Sequence, residues 1–307
     1  MKDLAIIGGG PGGTAAGVYA ARKQLKTIFI TKEWGGQSVV SEDIQNWIGT
    51  TSLSGEDLAK NLQAHLEAYA NDIVDIVSDT CVTSIEKIDG GYKIILENND
   101  TYEVKTLLIT SGAHRRKLPV PGAEEFDQKG LTYCASCDGP LFSGQDVVVI
   151  GGGNAGFETA AQLLAYTKSV TLLNRSGEFK ADPVTVKKVL SNEKMTGLLN
   201  ASITEVIGDK FVTGVKYKDT KTDGIKDLAV TGVFVEIGLV PNTDFLAGLV
   251  ELDMIKRIKV DPKTQETSEA GIWAAGDCAD GLYQQNNIAA GDAIKAIEDI
   301  YGHLHTR

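Results

Sequence analysis

The chain has 307 residues and a formal net charge of -11, from 30 basic and 41 acidic side chains. That excess of acid excludes a non-specific nucleic-acid binder, which needs a basic surface to displace counterions from phosphates. With 42% hydrophobic residues and 34 glycines, the chain can build two α/β domains with full cores, and no stretch approaches the roughly 18 apolar residues of a membrane span.

Met1-Lys2-Asp3 runs into an apolar segment and a glycine motif without a signal region or cleavage site, so a cytoplasmic protein is expected. Four cysteines, two of them in a CxxC, suggest a working dithiol in a reducing compartment rather than a disulfide scaffold.

Residues 4–7 predict a short buried strand, followed by Gly8-Gly9-Gly10-Pro11-Gly12-Gly13, a helix over 14–22 and a second strand over 26–30. In such a unit the first glycine makes the tight turn, the second lets the backbone approach a pyrophosphate, and the third permits close helix packing. The pyrophosphate sits at the positive end of the helix. Glu33 stands where an acid would accept adenosine ribose hydroxyls, with a solvated turn residue as the alternative. Trp34-Gly35-Gly36-Gln37 and Asn46-Trp47-Ile48-Gly49 read as loops whose aromatic and amide groups could wall a flat ring system. Residues 55–70 carry Leu58, Leu62 and Leu66 at helical spacing, with His65 at the surface or boundary. Strands are expected over 73–76, 81–88, 92–97 and 102–109, and the prolines and basic run of 114–122 mark a connector out of this domain.

Next comes Cys134-Ala135-Ser136-Cys137-Asp138-Gly139. Two cysteines three apart can close a small disulfide ring, and a lowered thiol pKa would let the pair exchange with other disulfides. Asp138 beside them can hand protons to and from a thiolate leaving group. The alternatives are unreactive thiols or a structural zinc half-site. Zinc would want four ligands, and the remaining Cys81 and Cys278 are isolated, so no metal is expected.

A second dinucleotide unit follows, with a strand over 147–150, Gly151-Gly152-Gly153-Asn154-Ala155-Gly156, a helix to about residue 165 and a strand over 169–173. Gly8, Gly10 and Gly13 recur as Gly151, Gly153 and Gly156, each 143 residues later. Two such units imply two nucleotide ligands, most economically a bound flavin and a diffusible nicotinamide cofactor. The second strand ends in Asn174-Arg175-Ser176, with Lys180 beyond. No acid there opposes a ribose 2'-phosphate and Arg175 could pair with it, which favours NADPH over NADH. A helix is expected over 183–200, strands over 201–210, 211–218 and 226–235, and a return crossing at Val240-Pro241-Asn242-Thr243. Gly271-Ile272-Trp273-Ala274-Ala275-Gly276-Asp277 reads as a buried strand whose edge presents an acid to ribitol hydroxyls, or as a strand ending in a helix cap. The final helix is expected over about 285–301, with Gln285 at its start available to a flavin carbonyl and with His303 and His305 in a frayed tail.

With the CxxCD, the doubled glycine motifs and the AAGD strand, essentially the whole chain resembles the low-molecular-weight thioredoxin reductases and the homologous reductase core of the alkyl hydroperoxide reductase flavoprotein. The resemblance implies an α/β fold of two dinucleotide-binding, Rossmann-like domains of the pyridine nucleotide-disulfide oxidoreductase type, the second inserted into the first. Residues 1–117 and 245–307 would form the FAD domain, and 118–244 the NAD(P)H domain with the dithiol. It assigns FAD contacts to Gly8, Gly10, Pro11, Gly12, Gly13, Glu33, Gly36, Gln37, Asn46, Thr110, Gly112, Asp277 and Gln285. NAD(P)H contacts fall on Gly151, Gly153, Asn154, Ala155, Gly156, Glu158, Arg175 and Lys180, with Ile237 and Gly238 near the nicotinamide. Where many NADPH-dependent relatives carry His-Arg-Arg and a later Arg, this chain has Asn174-Arg175-Ser176 and Lys180.

The implied activity is that of a thioredoxin-disulfide reductase, a cytoplasmic flavoprotein homodimer. Hydride passes from NADPH or NADH to FAD, and two electrons pass to the Cys134–Cys137 disulfide, with Cys137 as the flavin-proximal thiol and Asp138 as acid and base. Cys134 then attacks the partner's disulfide and Cys137 resolves the mixed disulfide. The inserted domain would rotate between two orientations, with hinges near 117–122 and 241–243. Pro140-Leu141-Phe142 and residues 129–133 look more like the hydroperoxide-reductase core. That flavoprotein begins with tandem thioredoxin-like folds, whereas this chain starts at the FAD strand, so a separate acceptor is expected: thioredoxin or a glutaredoxin-like protein. The alternatives are a peroxiredoxin-system partner and a flavin NAD(P)H oxidase or redox sensor.

Overall fold

The computed structural model describes residues 1–41, 44–246 and 248–306, without the side chains of Ser136 and Cys137. The chain forms two compact units, Met1–His114 with Val240–Arg307, and Arg115–Leu239.

The first unit is built on a sheet whose parallel strands Val74–Val77, Thr27–Trp34, Lys2–Gly9 and Thr101–Ile109 lie side by side in that order. Beyond Thr101–Ile109, its first half pairs antiparallel with Gly91–Leu96 of a hairpin, and its second half pairs parallel with Ile272–Ala274. Leu4 to Ile7 are all buried because both faces of this sheet are covered. Strand alternation then sorts the side chains. Ala5, Ile7, Ile28, Ile30, Leu107 and Ile109 enter one core beneath the hairpin. Leu4, Ile6, Phe29, Leu108 and Trp273 enter another, under the helices Pro11–Arg22 and Asn286–His305. Those helices meet through small residues, Ala16 and Ala20 on one and Ala293 and Ala296 on the other. The helix Gly55–Ala70 starts at Ser54, whose hydroxyl accepts the Asp57 N–H at 3.0 Å. Leu58, Leu62 and Leu66 are its buried stripe, and His65 is exposed.

The last helix runs on past the expected end at residue 301. It reaches His305, and the His303 ring lies edge-on to Trp273 with centroids 5.3 Å apart. That contact with a fully buried tryptophan holds a turn that looked frayed in sequence.

The second unit has a parallel sheet in the order Met195–Leu199, Ser169–Asn174, Asp146–Ile150, Gly232–Val235 and Leu131–Thr132. An antiparallel meander of Ala201–Gly208, Val212–Asp219 and Ile225–Ala229 accompanies it. Two expectations need correction here. The helix expected over 183–200 ends at Leu190, and Met195–Leu199 becomes an edge strand in register with Val170 to Asn174. The break is made by Asn192, whose side chain accepts the Lys194 N–H and whose carbonyl accepts the Met195 N–H. The strand expected over 226–235 is two strands in different sheets. Thr231 turns the chain between them, donating its N–H to Asp146 and its hydroxyl to Gln145.

Among the described residues no helix is long and apolar enough to cross a membrane, and no group of three metal-ligating side chains occurs.

Candidate functional site

The two glycine turns share one steric design. In the first unit Gly8 has φ +122°, and a Cβ there would stand 2.2 Å from the Thr110 carbonyl oxygen. A Cβ on Gly13 would stand 1.8 Å from the Gly8 carbonyl oxygen, whereas one on Gly10 would meet nothing within 4 Å. The second unit repeats the pattern. A Cβ on Gly151 (φ +129°) would lie 2.1 Å from the Glu236 carbonyl oxygen and one on Gly156 2.0 Å from that of Gly151, while Gly153 faces open space. The outer glycines are therefore required by the protein itself. The middle ones keep space clear in front of a helix N-terminus, and neither helix has a side-chain cap. Unclaimed N–H groups and the helix dipole make each such end receptive to a phosphate.

In the first unit the turn opens into a cleft of about 700 Å³. Gly8, Gly10, Pro11, Gly12, Glu33, Gly36, Gln37, Thr110, Gly112, Asp277 and Gln285 line it. Gly13 lies beneath the turn instead, and Asn46 stands outside the lining, donating its amide to Gln285 at 3.0 Å. Gln37 donates to the Ala113 carbonyl at 2.8 Å, and the Thr110 hydroxyl donates to the Ile7 carbonyl at 3.0 Å. Neither expected aromatic wall lines the cleft. Trp34 stacks on Phe29, with centroids 5.4 Å apart and planes at 11°, and Trp47 packs on the cluster of Ile44, Leu58 and Leu62. Burial of apolar ring area outweighs exposure at the cleft.

Two polar groups in this cleft have no hydrogen-bond partner among the described residues. Burial pushes the Asp277 carboxyl above its usual range, and no hydrogen bond reaches it among the described residues. Thr80, 6% exposed, has a buried hydroxyl without a partner among the described residues. A buried hydroxyl without a partner is costly, and a half-buried carboxyl without one is free to accept, so the cleft suits a ligand rich in hydroxyls and ring nitrogens. An extended dinucleotide such as FAD has those groups, and the lining residues fit it. Thr80 was missed in sequence because a threonine opening a hairpin carries no motif.

In the second unit Asn174 is buried at the end of its strand, and its amide holds the next loop by donating to the carbonyls of Ser176 and Glu178. Arg175 and Lys180 are exposed on that loop, and among the described residues neither enters an ion pair. Asn154, Ala155 and Glu158 are exposed on the first turns of the helix Asn154–Leu163. The Asn154 side chain accepts the Asp182 N–H at 2.8 Å. Ile237 packs on the core of this unit, and Gly238, with φ +97°, is exposed beside it.

The dithiol segment follows the short strand Leu131–Thr132. Ala135–Asp138 is a single helical turn. Cys134 is disulfide-bonded, and Cys81 and Cys278 are free thiols. The Cys137 side chain lies outside the described residues. Asp138 donates its N–H to the Cys134 carbonyl at 3.1 Å, and its carboxylate accepts the Thr132 hydroxyl. That hydroxyl also accepts the Cys134 N–H at 3.3 Å.

Comparisons with known proteins agree with this architecture. Residues 2–293 match the family described as pyridine nucleotide-disulphide oxidoreductase. The chain is 40% identical over 302 residues to a Bacillus subtilis (strain 168) protein named NADH dehydrogenase. It is 38% identical over 303 residues to an alkyl hydroperoxide reductase component of Escherichia coli (strain K12). Both alignments cover 98% of this chain and 58% of the relative, so the chain spans less than two thirds of the length of these curated relatives. The structure of Lactococcus lactis thioredoxin reductase in its FR conformation superposes with a TM-score of 0.86 at 33% identity, covering 98% of both chains. The chain therefore belongs to the pyridine nucleotide-disulphide oxidoreductase family, within its low-molecular-weight thioredoxin reductase group.

Proposed function

We propose that the chain is a flavoprotein disulfide reductase that takes electrons from NADPH and delivers them, through FAD and the Cys134–Cys137 dithiol, to the disulfide of a thioredoxin. The observation that carries this reading is the doubled glycine turn, each with an open middle glycine before an uncapped helix, in a chain whose Cys134 is disulfide-bonded.

FAD would occupy the cleft of the first unit. The N–H groups after Gly10 receive its pyrophosphate, Glu33 accepts ribose hydroxyls, and Asp277 accepts ribitol hydroxyls that relieve its unpaired burial. Gly36, Gln37, Thr110, Gly112 and Gln285 complete the lining, with Asn46 orienting Gln285. NADPH would lie over Gly153 to Gly156, with its 2'-phosphate against Arg175 and Lys180 and its nicotinamide end toward Ile237 and Gly238. When bound, FAD supplies the exchange between a two-electron hydride donor and a disulfide.

The dithiol chemistry belongs to the chain itself. In the reduced dithiol, Cys134 as thiolate attacks one sulfur of the partner's disulfide. One S–S bond forms, the partner's bond breaks, and its second sulfur leaves and takes a proton. Cys137 then attacks Cys134, restoring the Cys134–Cys137 disulfide and releasing the partner's other sulfur, which is protonated in turn. Two electrons and two protons leave the protein, and Asp138 handles the proton at the thiol that becomes a leaving group.

A reducing compartment such as the cytoplasm keeps such a dithiol in use. A homodimer is proposed on the same family reading, and light scattering on the FAD-loaded protein tests it. The identity to the alkyl hydroperoxide reductase component favours a second acceptor, a thioredoxin-like or glutaredoxin-like domain serving a peroxiredoxin. The identity to a protein named NADH dehydrogenase favours a second donor, NADH. Steady-state rates with each donor against each acceptor decide. Donor oxidation that goes only to oxygen, leaving every protein disulfide intact, would replace the reductase with an oxidase.

A further inference from the structure

We infer that Thr132 is a positioning residue for the proton transfer at the dithiol. The inference rests on the reading of Asp138 as the acid and base there. Thr132 ends the strand Leu131–Thr132, is 4% exposed, and stands two residues before Cys134. Its single hydroxyl makes two bonds of opposite sense. It accepts the Cys134 N–H at 3.3 Å and donates its only proton to Oδ2 of Asp138. The Asp138 N–H returns to the Cys134 carbonyl at 3.1 Å. Backbone and side chain of the acid are thus tied to the cysteine at one end of the dithiol turn, through a hydroxyl anchored in the sheet.

A short turn of four residues has little rigidity of its own, and proton transfer needs the acid held within hydrogen-bond reach of the sulfur. Thr132 supplies that restraint. By engaging Oδ2, it leaves the exchange of the proton with a thiol to Oδ1. With the Thr132 proton directed at Oδ2, Oδ1 is the oxygen left to take up and release the proton. Valine has the shape of threonine without these two bonds and suits a buried strand. Serine keeps the bonds and drops a methyl group.

The test uses the FAD-loaded full chain, reduced anaerobically and mixed rapidly with oxidised thioredoxin, reading the rate of thiol–disulfide exchange. Thr132→Val is expected to slow exchange about 10-fold, a part of the roughly 10²-fold or greater share that general acid–base catalysis carries. Thr132→Ser is expected within about 2-fold of the parent. In an Asp138→Asn background, adding Thr132→Val is expected to change the rate by less than about 2-fold, because the group it positions is gone. Flavin content and the rate of flavin reduction by NADPH report an intact fold. If Thr132→Val does not fold, Thr132→Ala takes its place in the same cycle. Exchange by Thr132→Val at the parent rate, or equal losses from it with and without Asp138, overturns the inference. An Asp138→Asn protein that exchanges at the parent rate instead overturns the underlying role of Asp138.

Discussion

Glu236 and Arg115 meet at 2.9 Å where the chain enters the second unit, and the other oxygen of Glu236 accepts the Thr159 hydroxyl at 2.8 Å. Burial pushes the Glu236 carboxyl above its usual range, opposed by the guanidinium and the hydroxyl. Arg115 is a third exposed, so water can take it back when the carboxylate is lost. Glu236→Gln, which keeps an acceptor for Thr159 and removes a buried charge, is expected to change stability by less than about 1 kcal/mol. Glu236→Ala, which orphans Thr159 and leaves a cavity, is expected to cost about 2–3 kcal/mol. Urea unfolding of the two variants measures the difference.

Asp277 separates the stability of the empty cleft from its affinity. Its native pKa is raised above the reference value of 3.8 by burial alone. The contribution is therefore favourable below the unfolded pKa and is lost as pH rises through the native value. At pH 7 the cofactor-free protein carries that cost, and Asp277→Asn is expected to raise its melting temperature by about 2–4 °C, with the gain shrinking as pH is lowered. The same substitution is expected to weaken FAD binding by about 10-fold, since a charged acceptor for hydroxyls is replaced by a neutral one. Scanning calorimetry and flavin titration read the two effects separately.

The glycines make a sharper contrast. Gly13→Ala would drive its Cβ into the Gly8 carbonyl, so soluble folded protein is expected to be lost. Gly10 has an extended backbone, φ -76° and ψ -176°, which any residue adopts, and its Cβ would meet no protein atom. Gly10→Ala is expected to fold with unchanged far-ultraviolet dichroism and to bind FAD at least about 10-fold more weakly. Gly153→Ala is expected to fold, keep FAD and lose affinity for the nicotinamide dinucleotide.

Arg175 tests the donor. An exposed arginine pairing with a 2'-phosphate contributes through charge-assisted hydrogen bonds that water and salt weaken. Arg175→Ala is expected to lower kcat/KM for NADPH about 10-fold and leave that for NADH within about 2-fold. Equal losses with both donors would place Arg175 elsewhere in binding.

Much of this architecture was legible in the sequence because its strongest signals are steric. Gly8 and Gly13, like Gly151 and Gly156, pack against backbone carbonyls that admit no side chain, so the spacing itself carries the turn. Leu58, Leu62 and Leu66 gave the helix Gly55–Ala70 its full extent. Met195–Leu199 was illegible because an edge strand is made by pairing with a distant neighbour, Ser169–Asn174, while its own residues tolerate a helix. Trp34 and Trp47 misled for a related reason: an aromatic beside a glycine loop can wall a ligand or fill a core, and stacking on Phe29 or packing over Leu58 is a tertiary outcome. The two hydrogen bonds of Thr132 likewise exist only once strand and helical turn are in place.

In the proposed function, electrons leave this protein through Cys134 and Cys137 to a protein disulfide. The direct measurement is anaerobic turnover of the FAD-loaded chain with NADPH and oxidised thioredoxin, counting thiols formed against NADPH consumed. Two thiols per NADPH are expected from the parent protein, and no thiols from Cys134→Ser or Cys137→Ser, each with its flavin still bound. Thioredoxin reduction at the parent rate by either cysteine variant would contradict it.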